Sequence, residues 1–416
     1  MKLLIYDPSP MGNEYCTKMW LAPIRRFATD NNICVAQCEN LDTAKGSTVV
    51  LLADHLSEER ILTLKNNGNK IVGINITDSS YISGAIRYAK SLQLVDLIFM
   101  VSGVPINNNG SEIAIDKDFN VTLVDKPFLD EENWRVFDFM RKSGRLQSLP
   151  YVPWTPIPDV LRQPWSQRSK KAILRGGGHA RRFVLALFLQ LIDKLDPNSG
   201  FVLGPYFVDD MNPQFRYCDE CRASYKHNGH KACNVTLHPG NCNSPAYRGG
   251  DRWSFEDLGH WNNRCPRSFF WMAEQFQKRH GRIDMAIVEK VLNARWLDPK
   301  EHVTMLGRIL FSSDLKWEHS IFMPQRFWEA ASAGCINILP LRTMNQEYFP
   351  KVKPGEHYLV FEEDFKNLDV AFQIDEQGYN HAAGEMRRIY EQWISPTVYP
   401  INTNLLAHIL NEMRKL

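Results

Sequence analysis

Arg326 and Glu329 stand three residues apart in QRFWEAASAGCINILP (325–340), and this spacing carries a definite chemistry. On a helix, residues three apart share a face, so a guanidinium and a carboxylate project together. A guanidinium clamps a phosphate through two parallel N–H donors, and a carboxylate accepts hydrogen bonds from vicinal ribose hydroxyls. Small residues lead into Gly334, which ends the helix, and CINIL follows as a buried strand. Such a corner lets backbone approach a ligand closely. An ordinary helix–strand corner with a solvated ion pair has the same spacing.

A second anion-type segment is LRGGGHARRF (174–183), placed at a predicted strand-to-helix turn. Gly176, Gly177 and Gly178 free backbone N–H groups to face an anion, and the helix N-terminus adds partial positive charge. Arg175, Arg181 and Arg182 supply further cations. Neither the Gly-Lys-Ser/Thr of a Walker A loop nor the G-x-G-x-x-G spacing is present. A nucleotide diphosphate spans both segments: phosphates on Arg175 and the glycines, Arg181 and Arg326 near the diphosphate, ribose on Glu329.

Cys218, Cys221, Cys233 and Cys242 form the pattern CDEC(x11)C(x8)C. A CxxC knuckle with two later thiolates suits a tetrahedral structural zinc. His227, His230 and His238 lie in the same stretch, and any of them can replace a cysteine; Cys265 is a further candidate ligand. The segment has few aliphatic residues, so a metal would supply what burial cannot. Reduced, unliganded thiols are the alternative. Cys16, Cys34, Cys38 and Cys335 read as core cysteines. Around the zinc pattern, Arg222, Lys226, Lys231, Arg248 and Trp253 interleave cations with aromatics, as an acceptor surface for nucleic acid or a sugar polymer would.

The elements that must position these groups follow an α/β rhythm. KLLIYD (2–7), ICVAQC (33–38), TVVLLAD (48–54), KIVGINI (70–76) and DLIFMVSG (96–103) read as strands. Tyr15–Ala28, Ser57–Lys65 and Ile82–Leu92 carry helical spacing between them. This alternation predicts a doubly wound parallel sheet over 1–149, with ligands at the C-terminal strand ends. Those ends carry Asp78, Asp54, His55 and Asp7, in that order of preference as a general base. A helix cap or turn role is the alternative for each. A proline-rich linker, 150–169, is predicted to be extended. A second α/β domain, 170–395, contains the insertion 209–266, and 396–416 is predicted to form a helix crossing back to the first domain. Within the second domain, KKAIL (170–174) and Met305–Ser312 read as strands, and Ala180–Ile192 and Tyr379–Ile394 as helices.

With its paired α/β domains and the Gln325–Pro340 segment, the chain resembles the GT-B glycosyltransferases. The nearest patterns are the exostosin-like Arg-Leu-Phe-Asp-Ala…Gly-Cys-Ile-Pro-Val and the CgeB-like group, over roughly Leu306–Leu368 including PGEHYLVFEEDFKNL (354–368). The resemblance implies two Rossmann-like domains, a nucleotide-sugar donor held by the second, and a catalytic base from the first. It implies a UDP-sugar as the first choice of donor, hexosyl or pentosyl transfer, and no required catalytic metal. Retaining members often show Glu-x7-Glu, but Ile321 stands eight positions before Glu329, so the stereochemistry is left open.

The bulk properties bound the acceptor. Of 416 residues, 44% are apolar and 23% charged, as in a globular protein, and no apolar run reaches the roughly 20 residues of a bilayer span. The start, MKLLIYDPSPMGNEY, lacks a signal-peptide pattern, which predicts a cytoplasmic protein, in the bacterial host's cytoplasm if phage-encoded. Arg141–Arg282 holds 22 Lys/Arg against 11 Asp/Glu, a net +11, so the remainder carries −9 to reach the chain's +2. That asymmetry favours a polyanionic partner, and with it a modified base in DNA as acceptor. The alternatives are a cell-surface glycan, lipid or protein acceptor, and a non-enzymatic zinc-containing nucleic-acid-binding protein. The oligomeric state is left open.

Overall fold

The computed structural model describes residues 1–7, 17–76, 92–101, 103–116, 121–127, 129–152, 159–174, 180–195, 252–254, 273–274, 276–286, 304–313, 325–362 and 365–416. In the first half, β1 (Lys2–Tyr6) leads to α1 (Ala22–Asp30), β2 (Cys34–Cys38), β3 (Thr48–Leu52), α2 (Glu58–Asn66), β4 (Lys70–Asn75) and β5 (Leu97–Met100). With β9 (Leu146–Ser148) these strands form a six-stranded parallel sheet in the order β2-β1-β3-β4-β5-β9.

Both faces of this sheet are covered, and the period-two alternation divides its side chains between them. Leu3, Ile5, Val50, Leu52, Val72 and Ile74 face α1 and the C-terminal helices. Leu4, Tyr6, Val49, Leu51, Ile71 and Ile98 face α2 and a third helix, α3 (Glu131–Lys142). Capping sets the helix starts: Ser57 accepts from the Arg60 N–H at 3.3 Å, and Asp130 accepts from the Asn133 N–H at 2.9 Å. Helix α1 begins later than its apolar spacing suggests. A π-type turn, Thr17–Leu21, precedes it, and Pro23 occupies its first turn, where a missing N–H costs nothing.

Between β5 and α3, β6 (Val104–Pro105) is followed by the antiparallel hairpin β7 (Asn109–Asp116) and β8 (Val121–Pro127). The linker is not simply extended. It contains 3₁₀ turns at Asp159–Leu161 and Trp165–Gln167, because single turns tolerate flanking prolines that a longer helix would not.

The second half opens with β10 (Ser169–Leu174) and α4 (Ala180–Leu191). A short strand, β11 (Arg252–Ser254), lies within the sequence of the predicted insertion and pairs antiparallel with β7, so that Trp253 is opposite Ile115. Next come β12 (Ile309–Ser313), α5 (Gln325–Ser332), β13 (Ile336–Pro340), β14 (Gln346–Glu347) and β15 (Leu359–Phe361). Strands β10, β12, β13 and β15 make a second parallel sheet in that order. Strand β12 starts at Ile309 and not at Met305, because 304–306 form a helical turn and Gly307 lies directly under the Leu161 carbonyl. Two helices close the chain, α6 (Glu376–Trp393) and α7 (Thr403–Arg414).

The two sheets share a core. Phe327, Trp328 and Ala331 of α5, Met386 and Ile389 of α6, and Leu406, Ile409 and Leu410 of α7 pack into one cluster with the first sheet's residues. Tyr399, just before α7, lies edge-on to Phe27 at 5.5 Å and donates to Asp30 at 2.5 Å. Strand β14 pairs with β6, and Arg141 bridges Glu347 at 2.7 Å. The architecture is therefore mixed α/β with two parallel sheets. Among the described residues no helix is long and apolar enough to cross a membrane.

Candidate functional site

The first sheet has one place where its connections diverge. From β1 the chain goes to β2 on one side and then crosses to β3 on the other, so the β1/β3 boundary is a topological switch point. Ligands of open α/β sheets lie beyond the strand C-termini at such a point. Asp7 follows β1 there, and the 3₁₀ turn Ala53–His55 follows β3. The Tyr6 and His55 rings meet edge-on, with centroids 6.0 Å apart at 90°, which holds the two strand ends together. The His55 carbonyl is fixed in turn by Arg60 Nη1 at 2.9 Å. Two of the four predicted bases, Asp7 and His55, thus share one edge, and Asp54 lies in the same turn; Asp78 lies outside the described residues.

Beside Asp7 opens a cavity of about 160 Å³, lined by Ile5, Asp7, Leu21, Ala22, Arg25 and Gln37. Asp7 is half-buried and makes no hydrogen bond with any described residue. Arg25 Nη1 makes a long contact, 3.4 Å, with Gln37 Oε1. Arg25 and Gln37 did not stand out in the sequence. The available signal was the polar Gln37 near the end of the strand CVAQC, at a strand edge where ligands gather.

The second sheet repeats the arrangement. Leu195, after α4, makes a parallel bridge to Ala172, while β12 pairs with β10 through Phe311, Ser312 and Ser313. Pairing on both flanks of β10 puts a second switch point at the β10/β12 boundary, where Leu174 ends its strand. The predicted glycine turn, Arg175 and Gly176–Gly178, lies outside the described residues, as does the side chain of Arg181 in α4.

Helix α5 runs back between β12 and β13, so its first residues, Gln325 and Arg326, stand at the C-terminal edge of this sheet. Glu329 lies one turn deeper, toward α6. Tyr390 of α6 is pushed up to about 12, first by burial; Ser332, Ser395 and Arg162 oppose the shift and the Glu329 carboxylate adds to it. Arg162 belongs to the same seam. Its Nη2 pairs with Asp159, its buried Nε and Nη1 have no hydrogen-bond partner among the described residues, and burial followed by the charge of Arg387 lowers its pKa. Asp159 also holds Arg387 at 2.9 Å.

At the opposite end of α5, Gly334 has φ +74°, a left-handed conformation that glycine adopts without strain. Its carbonyl accepts from the Tyr379 hydroxyl at 2.6 Å. Arg168, which the sequence did not single out, is buried there and donates to three carbonyls: Gln163 at 2.6 Å, Ile309 at 2.8 Å and Ala333 at 2.7 Å.

The predicted zinc ligands Cys218, Cys221, Cys233 and Cys242 and the cations Arg222, Lys226, Lys231 and Arg248 lie outside the described residues; Trp253 is placed through its strand. Among the described residues, no group of three or more His, Cys, Asp or Glu could hold a metal. Cys38 and Cys335 are buried free thiols as expected. Cys34 is not a core residue: it is exposed, because β2 is the outer strand of its sheet and the position faces solvent. Cys16 lies outside the described residues. No family model matches the chain, and no curated protein is significantly similar to it.

Proposed function

We propose that the chain is a nucleotide-sugar-dependent glycosyltransferase of GT-B type, with the donor on the second sheet and the acceptor toward the first. The observation that carries this reading is the second sheet's switch point. Strand β10 ends there at Leu174, directly before Arg175 in the sequence, and Arg326 stands in the first turn of α5 at the same edge. Arg175, Arg181, Arg326 and the N-terminus of α4 would offset the negative charge that develops on the departing diphosphate. Cations and a helix dipole in these positions make a catalytic metal unnecessary. Glu329 is assigned to the ribose. A base from Asp7, Asp54, His55 or Asp78 would take the acceptor proton.

For the acceptor, the +11 centre favours DNA, with a modified base flipped out of the duplex to reach the donor. Strand β11 supports a role for the insertion in acceptor binding, since it ties that part of the chain to the hairpin of the first half. A structural zinc on Cys218, Cys221, Cys233 and Cys242 would order the insertion, and elemental analysis would then find about one metal per chain. A glycan acceptor is the second reading, favoured by the Asp7 cavity.

A donor screen tests the activity. The protein is incubated with individual nucleotide-sugars, and nucleotide diphosphate release and thermal shift are followed. A UDP-sugar should raise the melting temperature and be turned over. A chain that responds to no nucleotide-sugar yet binds DNA would instead be a zinc-containing binding protein.

A further inference from the structure

We propose that the cavity beside β1 is a binding site for a neutral sugar ring bearing vicinal hydroxyls. The assignment stands on the first sheet alone and does not rest on the donor reading. The cavity combines an apolar floor (Ile5, Leu21, Ala22) with three polar groups of complementary capability (Asp7, Arg25, Gln37). A carboxylate only accepts hydrogen bonds, a guanidinium only donates, and a carboxamide does both. Asp7 has no hydrogen bond to any described residue, although it is half-buried. A half-buried acceptor without a donor among the described residues is completed by a ligand that brings O–H groups.

The other ligand classes fit less well. An inorganic or ester phosphate brings acceptors and negative charge against Asp7. An ammonium ion meets Arg25. A purely apolar group leaves all three polar side chains without partners. A ring with adjacent hydroxyls donates to Asp7, accepts from Arg25, and exchanges both with Gln37, while its C–H face lies on Ile5 and Leu21. Size agrees: drug-sized ligands occupy roughly 300–1,000 Å³, so a cavity of about 160 Å³ suits one ring and not a nucleotide. The site is on the β2 side of β1, next to the switch point that holds His55, so a ring bound there would place its substituents toward that edge.

Saturation-transfer NMR and titration with methyl α-glucopyranoside, methyl ribofuranoside, methyl 2-deoxyribofuranoside and inorganic phosphate test the proposal, with UDP as an independent probe of the second sheet. The two glycosides with vicinal hydroxyls should bind. The deoxyriboside, which lacks the diol, and phosphate should not compete. Asp7→Asn and Gln37→Ala should each weaken glycoside binding about tenfold or more, with melting temperatures unchanged and UDP binding unaffected. Equal binding of the deoxyriboside, displacement by phosphate, or wild-type affinity in a folded Asp7→Asn protein would each overturn the assignment. Glycoside binding without any UDP response would uphold it and count against the glycosyltransferase reading.

Discussion

Arg168 and Arg25 are both at sheet edges, yet their surroundings make them opposites. Arg168 is buried at the N-terminal edge of the second sheet, with three backbone carbonyls between 2.6 and 2.8 Å. Arg25 is exposed at the C-terminal edge of the first, with one contact at 3.4 Å beside a cavity. A buried guanidinium that commits each of its three nitrogens to a backbone carbonyl is held away from ligands, and its work is to tie the linker, β12 and the end of α5 together. A guanidinium at a cavity rim with little to hold is available for recognition. Arginine content alone could not separate the two, and partner count does.

The largest expected effect follows from the buried arginine. Arg168→Ala should cost about 3 kcal/mol or more in urea unfolding, since each of three carbonyls, two of them buried, loses a charged donor at about 1–3 kcal/mol each. Arg25→Ala should change stability by no more than about 0.5 kcal/mol, as surface substitutions usually do. Comparable losses in the two variants would erase the contrast.

Glu329 sits between these extremes and decides how far the contrast extends into α5. If it holds a ribose, Glu329→Gln should lower nucleotide-sugar affinity by about 1.5–3 kcal/mol, the worth of a hydrogen bond to a charged group. Its closeness to Tyr390 gives a rival role in the seam between α5 and α6. Unchanged donor affinity with a lowered melting temperature would assign it to the seam and leave Arg326 as the ligand-facing member of the pair.

The basic centre offers the same test on a larger surface. Replacing Arg222, Lys226 and Lys231 together should flatten the log–log salt dependence of DNA binding by up to about three units, at roughly 0.9 per phosphate contact. Donor affinity should not move. An unchanged slope would place these cations on a solvated surface and favour the glycan acceptor.

Which features were legible follows from where their physics resides. The strands KLLIY, TVVLL and KIVGIN were readable because each is a buried apolar run, and helix α5 because Gly334 must stop it. The strand ends then brought Asp7 and His55 to one edge as the α/β rhythm implied. The pairing of β11 with β7 was not legible, because partners as far apart as Trp253 and Ile115 leave no local periodicity. Arg168 was hidden for a related reason: its meaning lies in carbonyls contributed by three separate segments. Gln37 and Arg25 become neighbours only when β2 pairs with β1.

The smallest expected effect concerns pH, and it separates the joint between the halves from the second sheet. Burial is the first cause lowering the pKa of His408, which stacks on Phe349 at 4.1 Å, and the first cause at His357 and His280 as well. At His408 the Glu412 carboxylate opposes the shift and Lys415 reinforces it; at His357 Glu356 opposes it. A histidine whose folded pKa lies below its unfolded one, about 6.5, binds fewer protons in the native state. Stability is therefore fully present above about pH 6.5 and falls as the pH drops from there toward the native values. Urea unfolding should accordingly show a lower midpoint at pH 5.5 than at pH 7.5. His408→Phe keeps an aromatic ring against Phe349 and removes one of these titrations, so it should flatten part of the slope. His357→Phe should flatten a separate part, since His357 lies near β15 and Glu356 and not at the α7 contact. Equal pH slopes in wild type and His408→Phe would show that the joint contributes nothing to the titration and that the second sheet carries it.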